Sequence, residues 1–232
     1  FMKEDLGLCT DFKHHKLKIL FFLGAMREYK KDLESNGIEV IYHDIDKKLF
    51  DIPYLELLEK TIKENSITKI HYFEIEDSQF ANQFSKFLKK VKISSTEISS
   101  PMFLCGTNEF KDFFGNKPLR MVSFYQMMRK KMNVLMSDGK PIGGKWSYDS
   151  ENRKKLPKNM EIPCLPKIKY SSEYLDLKKT IDFKFSNHYG ELDNSWFPIN
   201  RKDALKWLDN FLIYKFHNFG SYEDAIHTDY NF

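Results

Sequence analysis

The feature that most constrains this chain is a regular exchange of two kinds of segment between residues 14 and 98. From His14 to Asn36 the apolar residues Leu17, Leu20, Phe21, Ala25, Tyr29 and Leu33 recur at helical spacing, and Gly37 supplies a stop. The β-branched stretch "IEVIYHDI" then predicts a strand, and Pro53 at a first-turn position opens a second helix through "YLELLEKTIKEN". Next, "KIHYFEI" predicts a strand, "SQFANQFSKFLKKV" a helix and "KISSTEI" a strand. Strands joined through helices over short connections build βαβ units, which pair in parallel and carry helices on both faces of the sheet.

That order predicts the α/β class, with a Rossmann-like parallel sheet. Such sheets take ligands beyond the carboxyl ends of their strands. No G-x-G-x-x-G or Walker loop occurs, so an ordinary dinucleotide or P-loop site is not supported. After Pro101 the pattern changes. "TNEFKDFF" and "LRMVSFYQMMRKKM" predict helices, and "NVLMSDGKPIGG" predicts a turn-rich extended stretch around Asp138-Gly139. Pro and Lys are frequent from Arg153 to Lys169, which reads as a traversing linker. "SSEYLDLKKTIDFKF" and "RKDALKWLDNFLIYKF" then predict amphipathic helices with no strand between them. The expected organisation is an α/β domain over 1–132, a basic linker over 133–170 and the start of an all-α domain over 171–232.

With 21 Phe and 12 Tyr against 10 Gly and 8 Pro, the chain has the apolar mass for a core and too few breakers for extended disorder. The longest apolar run, Ile19 to Met26, falls short of a membrane span, and no secretory leader is read, so no membrane partner is expected. Cys9, Cys105 and Cys164 are too scattered for a zinc or disulfide framework, which argues for a reducing cytoplasm. The chain opens Phe1-Met2 and closes on "HTDYNF" within what reads as structured sequence, so it is read as a fragment, and as a monomer. Between Lys117 and Lys169 there are 13 Lys or Arg against 4 Asp or Glu, a balance of +9 within a chain of net +4. A segment so basic is either a solvated surface or an electrostatic footprint for phosphate-bearing partners.

No Ser-His-Asp, Cys-His, HExxH or paired-carboxylate arrangement declares itself. His14 and His15 are adjacent at a helix start and face different ways, which argues against one shared metal. His71, inside a strand, reads as a packed core histidine. Arg129, Lys130 and Lys131 end a helix, where cations complement its dipole, and they could equally meet a DNA backbone. In "GGKWSYDSENRKKLPK", Gly143-Gly144 permits a sharp turn, Trp146 and Tyr148 supply an apolar anchor, Asp149 and Asn152 can cap neighbouring backbone, and Arg153 leads into the basic run. Physically this is a staple for the linker, with Trp146 buried.

These residues carry a resemblance. "FYQMMRKKMNVLMSDGKPIGGKWSYDSENRKKLPK" resembles the signature of the deoxyribodipyrimidine photolyase-related family, the iron–sulfur bacterial cryptochromes and prokaryotic (6-4) photolyases. Upstream, "FMKEDLGLCTDFKHHKLKILFFLGAMREY" is similar to the family's Met-x-Glu segment and the helix ending in Ala-Met-Arg. Downstream, "WFPINRKDALKWLDNFLIYKFHNFGSYEDAI" is similar to the opening of its flavin-binding helical domain. The resemblance implies an antenna domain, an interdomain linker and a helical catalytic domain with FAD and a four-iron–four-sulfur cluster. It also implies 6,7-dimethyl-8-ribityllumazine as antenna chromophore and damaged DNA as partner. Glu4 matches the family glutamate beside the lumazine, and Phe22 falls where the family places an apolar contact to it. Arg129, Lys130 and Arg153 are the expected DNA-facing cations. The family's first strand precedes Phe1, none of the three cysteines matches a cluster ligand, and no catalytic residue is expected in this chain, which should not repair DNA unaided. The full-length protein is then expected to be a light-dependent carbon–carbon lyase acting on DNA. A cryptochrome-type blue-light photoreceptor and a basic α/β nucleic-acid-binding module are the competing expectations.

Overall fold

The protein is described here from a computed structural model over residues 1–47, 49–193 and 195–226. It forms two compact units, Phe1–Thr61 together with the chain from Arg153 onward, and Ile62–Asn152.

In the first unit, strand β1 (Met2–Lys3) pairs in parallel with β2 (Tyr42–His43), Met2 opposite Tyr42 and Lys3 opposite His43. A short helix α1 (Leu6–Thr10) follows, with Asp5 accepting from the Leu8 N–H as its cap. Helix α2 (Lys16–Ser35) starts at His15, whose Nδ1 accepts from the Leu17 N–H at 3.1 Å, so that ring nitrogen serves as a cap. Helix α3 (Tyr54–Glu64) begins behind Pro53, as the fixed φ of proline favours.

Helix α7 (Ser172–Lys184), capped by the Ser171 hydroxyl, packs along α2. Ile19, Leu20 and Leu23 from α2 meet Tyr174, Leu177, Ile181 and Phe185 in one buried cluster with Cys9, Ile45, Phe50 and Leu192. Leu20 and Ile181 are wholly excluded from solvent, and each such side chain contributes roughly 1.5–3 kcal/mol. Gly24 lets the 199 loop lie against α2, since a Cβ there would sit 3.3 Å from Ile199 Cδ1. Helices α8 (Arg201–Tyr214) and α9 (Phe216–Tyr222) complete this unit.

The second unit holds the strand–helix–strand that the sequence announces. Strand β3 (Lys69–Phe73) and β4 (Ser94–Ile98) pair in parallel over five residues, joined by α4 (Ser78–Val91). The inward residues of β3 meet α4, with the Tyr72 ring 4.8 Å from Phe84. His71 points the other way and is exposed, so the expectation of a packed core histidine fails: one face of this strand pair is covered and His71 is on the other. Helices α5 (Thr107–Phe114) and α6 (Met121–Met132) pack through Phe110, Phe114 and Phe124. A two-residue hairpin at Asp138-Gly139 joins β5 (Met136–Ser137) to β6 (Lys140–Pro141).

The class is therefore mixed helix and sheet, as expected, but the described strands form three two-stranded sheets in place of one continuous sheet. Only Tyr42 and His43 of "IEVIYHDI" are regular strand. Residues 154–170 contain neither helix nor strand. Among the described residues no helix is long and apolar enough to cross a membrane.

Candidate functional site

Glu4 directly follows β1 and has no exposed surface, and four donors meet its two oxygens. Arg27 from α2 places Nε 2.6 Å from Oε1 and Nη2 3.0 Å from Oε2. The Tyr42 hydroxyl donates to Oε1 and the Ile45 N–H to Oε2, both at 2.7 Å. The main-chain N–H of Glu4 bonds the His43 carbonyl, which fixes the register that brings these groups together. Arg27 also reaches Asp46 Oδ2 at 3.1 Å, and Thr180 on α7 donates to Asp46 Oδ1 at 3.0 Å. The chain of bonds runs from strand to helix to turn to helix.

Burial works against the charge on Arg27, yet the hydrogen bonds and field of Glu4 win, holding its pKa above the ordinary guanidinium value. Burial and the same carboxylate push Tyr42 well above the usual phenol range, so it stays a neutral donor. The sequence signal for this cluster was present: Arg27 lies one turn beyond Leu23 and Gly24, on the stripe of α2 that faces the core. A cation there requires a buried partner.

Beside the cluster is a concavity of about 160 Å³, lined in part by Gly24, Arg27, Lys30, Tyr42, Tyr174 and Ile199. Lys30 sits over the Tyr42 ring at 5.5 Å. Phe22 is not among its lining residues; it is 55% exposed, with its ring 5.5 Å from Phe21. The structure thus places Glu4 in an internal network and Phe22 at the surface.

In the second unit the expected DNA-facing arginine has internal partners. Arg129 is 8% exposed and donates to the carbonyls of Val134, Leu135 and Trp146 at 3.2, 2.6 and 3.3 Å. Its guanidinium lies between the rings of Tyr125 and Trp146, 5.5 and 5.3 Å from their centroids. Asn133, in the left-handed region, ends α6 and turns the chain back over that guanidinium. Trp146 is half-buried. Its loop folds as the paired glycines allow: Gly143 and Gly144 both have positive φ, and the Tyr148 hydroxyl donates to the Gly143 carbonyl at 2.9 Å. Lys130 is exposed, with Nζ 5.4 Å from the Trp146 centroid. Arg153, in the other unit, is exposed and paired with Asp224 at 3.2 Å.

A second concavity lies wholly in the second unit. It encloses about 840 Å³ beyond the carboxyl ends of β3 and β4, between Glu74, Ser99, Phe103, Met121, Phe124 and Met128. Its Met and Phe side chains come from α5, α6 and the irregular loop between β4 and α5. No group of three or more potential metal ligands occurs among the described residues.

The chain is 30% identical over 220 residues to a (6-4) photolyase of Agrobacterium fabrum, an alignment covering 93% of this chain and 43% of the relative. It is also 30% identical over 151 residues to an uncharacterised protein of Acanthamoeba polyphaga mimivirus, covering 63% of this chain and 74% of that one. The chain thus spans less than half the length of the Agrobacterium relative. The model of one family, the deoxyribodipyrimidine photo-lyase-related proteins, matches residues 1–197. On that match, which takes in both the buried Glu4 and the glycine–tryptophan loop, this chain belongs to the deoxyribodipyrimidine photo-lyase-related family.

Proposed function

We propose that this chain is the antenna-and-linker part of a light-driven DNA-repair flavoprotein of the (6-4) photolyase kind. The observation that carries the reading is the 30% identity to a protein of that name along 93% of the chain. On this reading the α/β class is Rossmann-like, the regions 1–132, 133–170 and 171–232 are antenna domain, linker and the opening of a flavin-binding domain, and the protein acts on damaged DNA as a cytoplasmic monomer. FAD would supply a photoexcited electron donor to a lesion flipped out of the duplex. The chain's own part is electrostatic: Lys130 and Arg153 are exposed cations suited to phosphate, one of them held by a single surface carboxylate.

The fit of the other implied groups differs from residue to residue. Burial pushes the Cys9 thiol up to about 12, with Asp5 and Glu4 adding to the effect, and so disfavours the thiolate that an iron–sulfur cluster requires. The four acceptor positions of Glu4 are filled by Arg27, Tyr42 and Ile45, and the 160 Å³ beside it is below the ~300 Å³ of ordinary ligand sites. Glu4 in this arrangement does not fit a direct hydrogen bond to 6,7-dimethyl-8-ribityllumazine. Its role is to hold β1, α2 and β2 together.

The test of the reading is illumination. The whole flavoprotein of which this chain is proposed to be a part, with its flavin, is mixed with an oligonucleotide carrying one (6-4) photoproduct, and restored pyrimidines are followed by HPLC under blue light and in darkness. Light-dependent restoration supports the reading; equal traces overturn it. Flavin photoreduction without restoration would favour a photoreceptor instead.

A further inference from the structure

We infer that Arg129 is a positioning residue for a cationic, aromatic edge, formed by Lys130, Lys145, Trp146 and Tyr148, that takes the phosphate backbone of duplex DNA. The inference rests on the DNA reading above and assigns to Arg129 a different part from a phosphate contact. The guanidinium donates to three main-chain carbonyls, two just past the end of α6 and one at Trp146, and is flanked by two rings. Only a planar fork with several donors can span such a set. Its charge is buried and directed inward, so it is poorly placed to neutralise an external phosphate.

What it does fix is the loop after Gly144. Trp146 is held against Arg129 on one side and meets Lys130 at 5.4 Å, while Lys145 lies 5.9 Å from the Tyr148 centroid. Both lysines are exposed, and Tyr148 is 49% exposed with its hydroxyl tied back to Gly143. Among the described residues neither lysine makes an ion pair, in contrast to Lys131, which is held by Glu109 at 2.6 Å. Cations resting on aromatic faces are pre-ordered, so less side-chain freedom is lost when they meet an anion. The surrounding stretch from Lys117 to Lys169 carries +9, which favours a polyanion over a single small anion.

The experiment uses the 232-residue chain and an undamaged 20-base-pair duplex, with affinity measured from about 50 to 200 mM salt. The slope of log K against log salt counts phosphates neutralised, at roughly 0.9 per contact. Lys130→Gln with Lys145→Gln is expected to flatten the slope by about 2 while leaving the urea midpoint unchanged. Arg129→Lys keeps the charge but cannot reach all three carbonyls, and is expected to flatten the slope by the same amount. A merely structural loss would lower the fraction of active protein and leave the slope as it was. Retention of the full slope by Arg129→Lys overturns the positioning role, because a charge alone would then suffice. Retention of the full slope by the double lysine variant overturns the edge as the contact, and is readable even if Arg129→Lys fails to fold. Absence of any binding by the unaltered chain at the lowest salt sinks the DNA reading and this inference together, whereas binding with unaltered slopes sinks only this one.

Discussion

Arg27 holds Glu4 by both oxygens, Nε at 2.6 Å and Nη2 at 3.0 Å, and the carboxylate it holds has no exposed surface. Removing one partner of such a pair leaves a buried charge uncompensated. Glu4→Ala also strips the Tyr42 hydroxyl and the Ile45 N–H of their acceptor. The expected cost is roughly 3–5 kcal/mol in a urea melt. Glu4→Gln, which keeps the shape and part of the bonding, should lose less. A shift below ~1 kcal/mol for Glu4→Ala would show that the network contributes little.

The α2–α7 contact is the core of the first unit. Ile181→Ala, at a fully buried position, is expected to destabilise by about 2–5 kcal/mol, while Leu175→Ala on the same helix, 47% exposed, should stay near ~0.5 kcal/mol. Chemical denaturation followed by circular dichroism separates the two. Equal effects would mean that α7 does not bury the face assigned to it.

Alkaline stability should report Cys9. Its thiol is neutral in the folded chain up to about 12, whereas an unfolded cysteine ionises near ~8.5. The raised folded pKa contributes stability that is complete below ~8.5 and is lost as pH climbs through the folded value, with a slope of up to about 1.4 kcal/mol per pH unit. Cys9→Ala is expected to be less stable at pH 7 and to decline less steeply between pH ~9 and ~10. Tyr42, shifted in the same direction by burial, adds a further decline above pH ~10 that the variant retains. Urea midpoints across that range check the slopes.

The two adjacent glycines should not be equivalent. Both have positive φ, but a Cβ at Gly144 meets open space while one at Gly143 runs into the Tyr148 hydroxyl. Gly144→Ala is expected to cost about 1 kcal/mol and Gly143→Ala about 1–3 kcal/mol, with altered tyrosine absorbance only in the second. Identical midpoints would contradict the loop geometry.

Where the sequence signal was local, the structure follows it closely. Helix α4 runs over Ser78–Val91, the bounds of the expected helix "SQFANQFSKFLKKV", and α7 over Ser172–Lys184 lies within the expected "SSEYLDLKKTIDFKF". Strand registry and coverage were not local. His71 was placed in a core because alternation shows that a strand has two faces, not which of them is covered. The expected burial of Trp146 is only partial, with the Arg129 guanidinium 5.3 Å and the Lys130 Nζ 5.4 Å from its ring centroid. Arg129 itself looked like a complement to the dipole of α6; its carbonyl at Trp146 is 17 residues away, and no spacing rule reaches that far. Nothing local to Glu4 announces its burial, since its partner Arg27 lies 23 residues on.

The pairing of β3 with β4 has a consequence for handling the protein. Among the described residues the outer side of β4 has no strand partner, so it offers a row of amide and carbonyl groups, and in β4 every residue is exposed. Only Glu97 in "SSTEI" carries charge to discourage a visiting strand, and no proline interrupts it. Concentrated solutions should therefore self-associate by strand addition before either unit melts, so colloidal behaviour, more than thermal midpoint, will set the working concentration. A lysine introduced at Thr96 is the natural remedy.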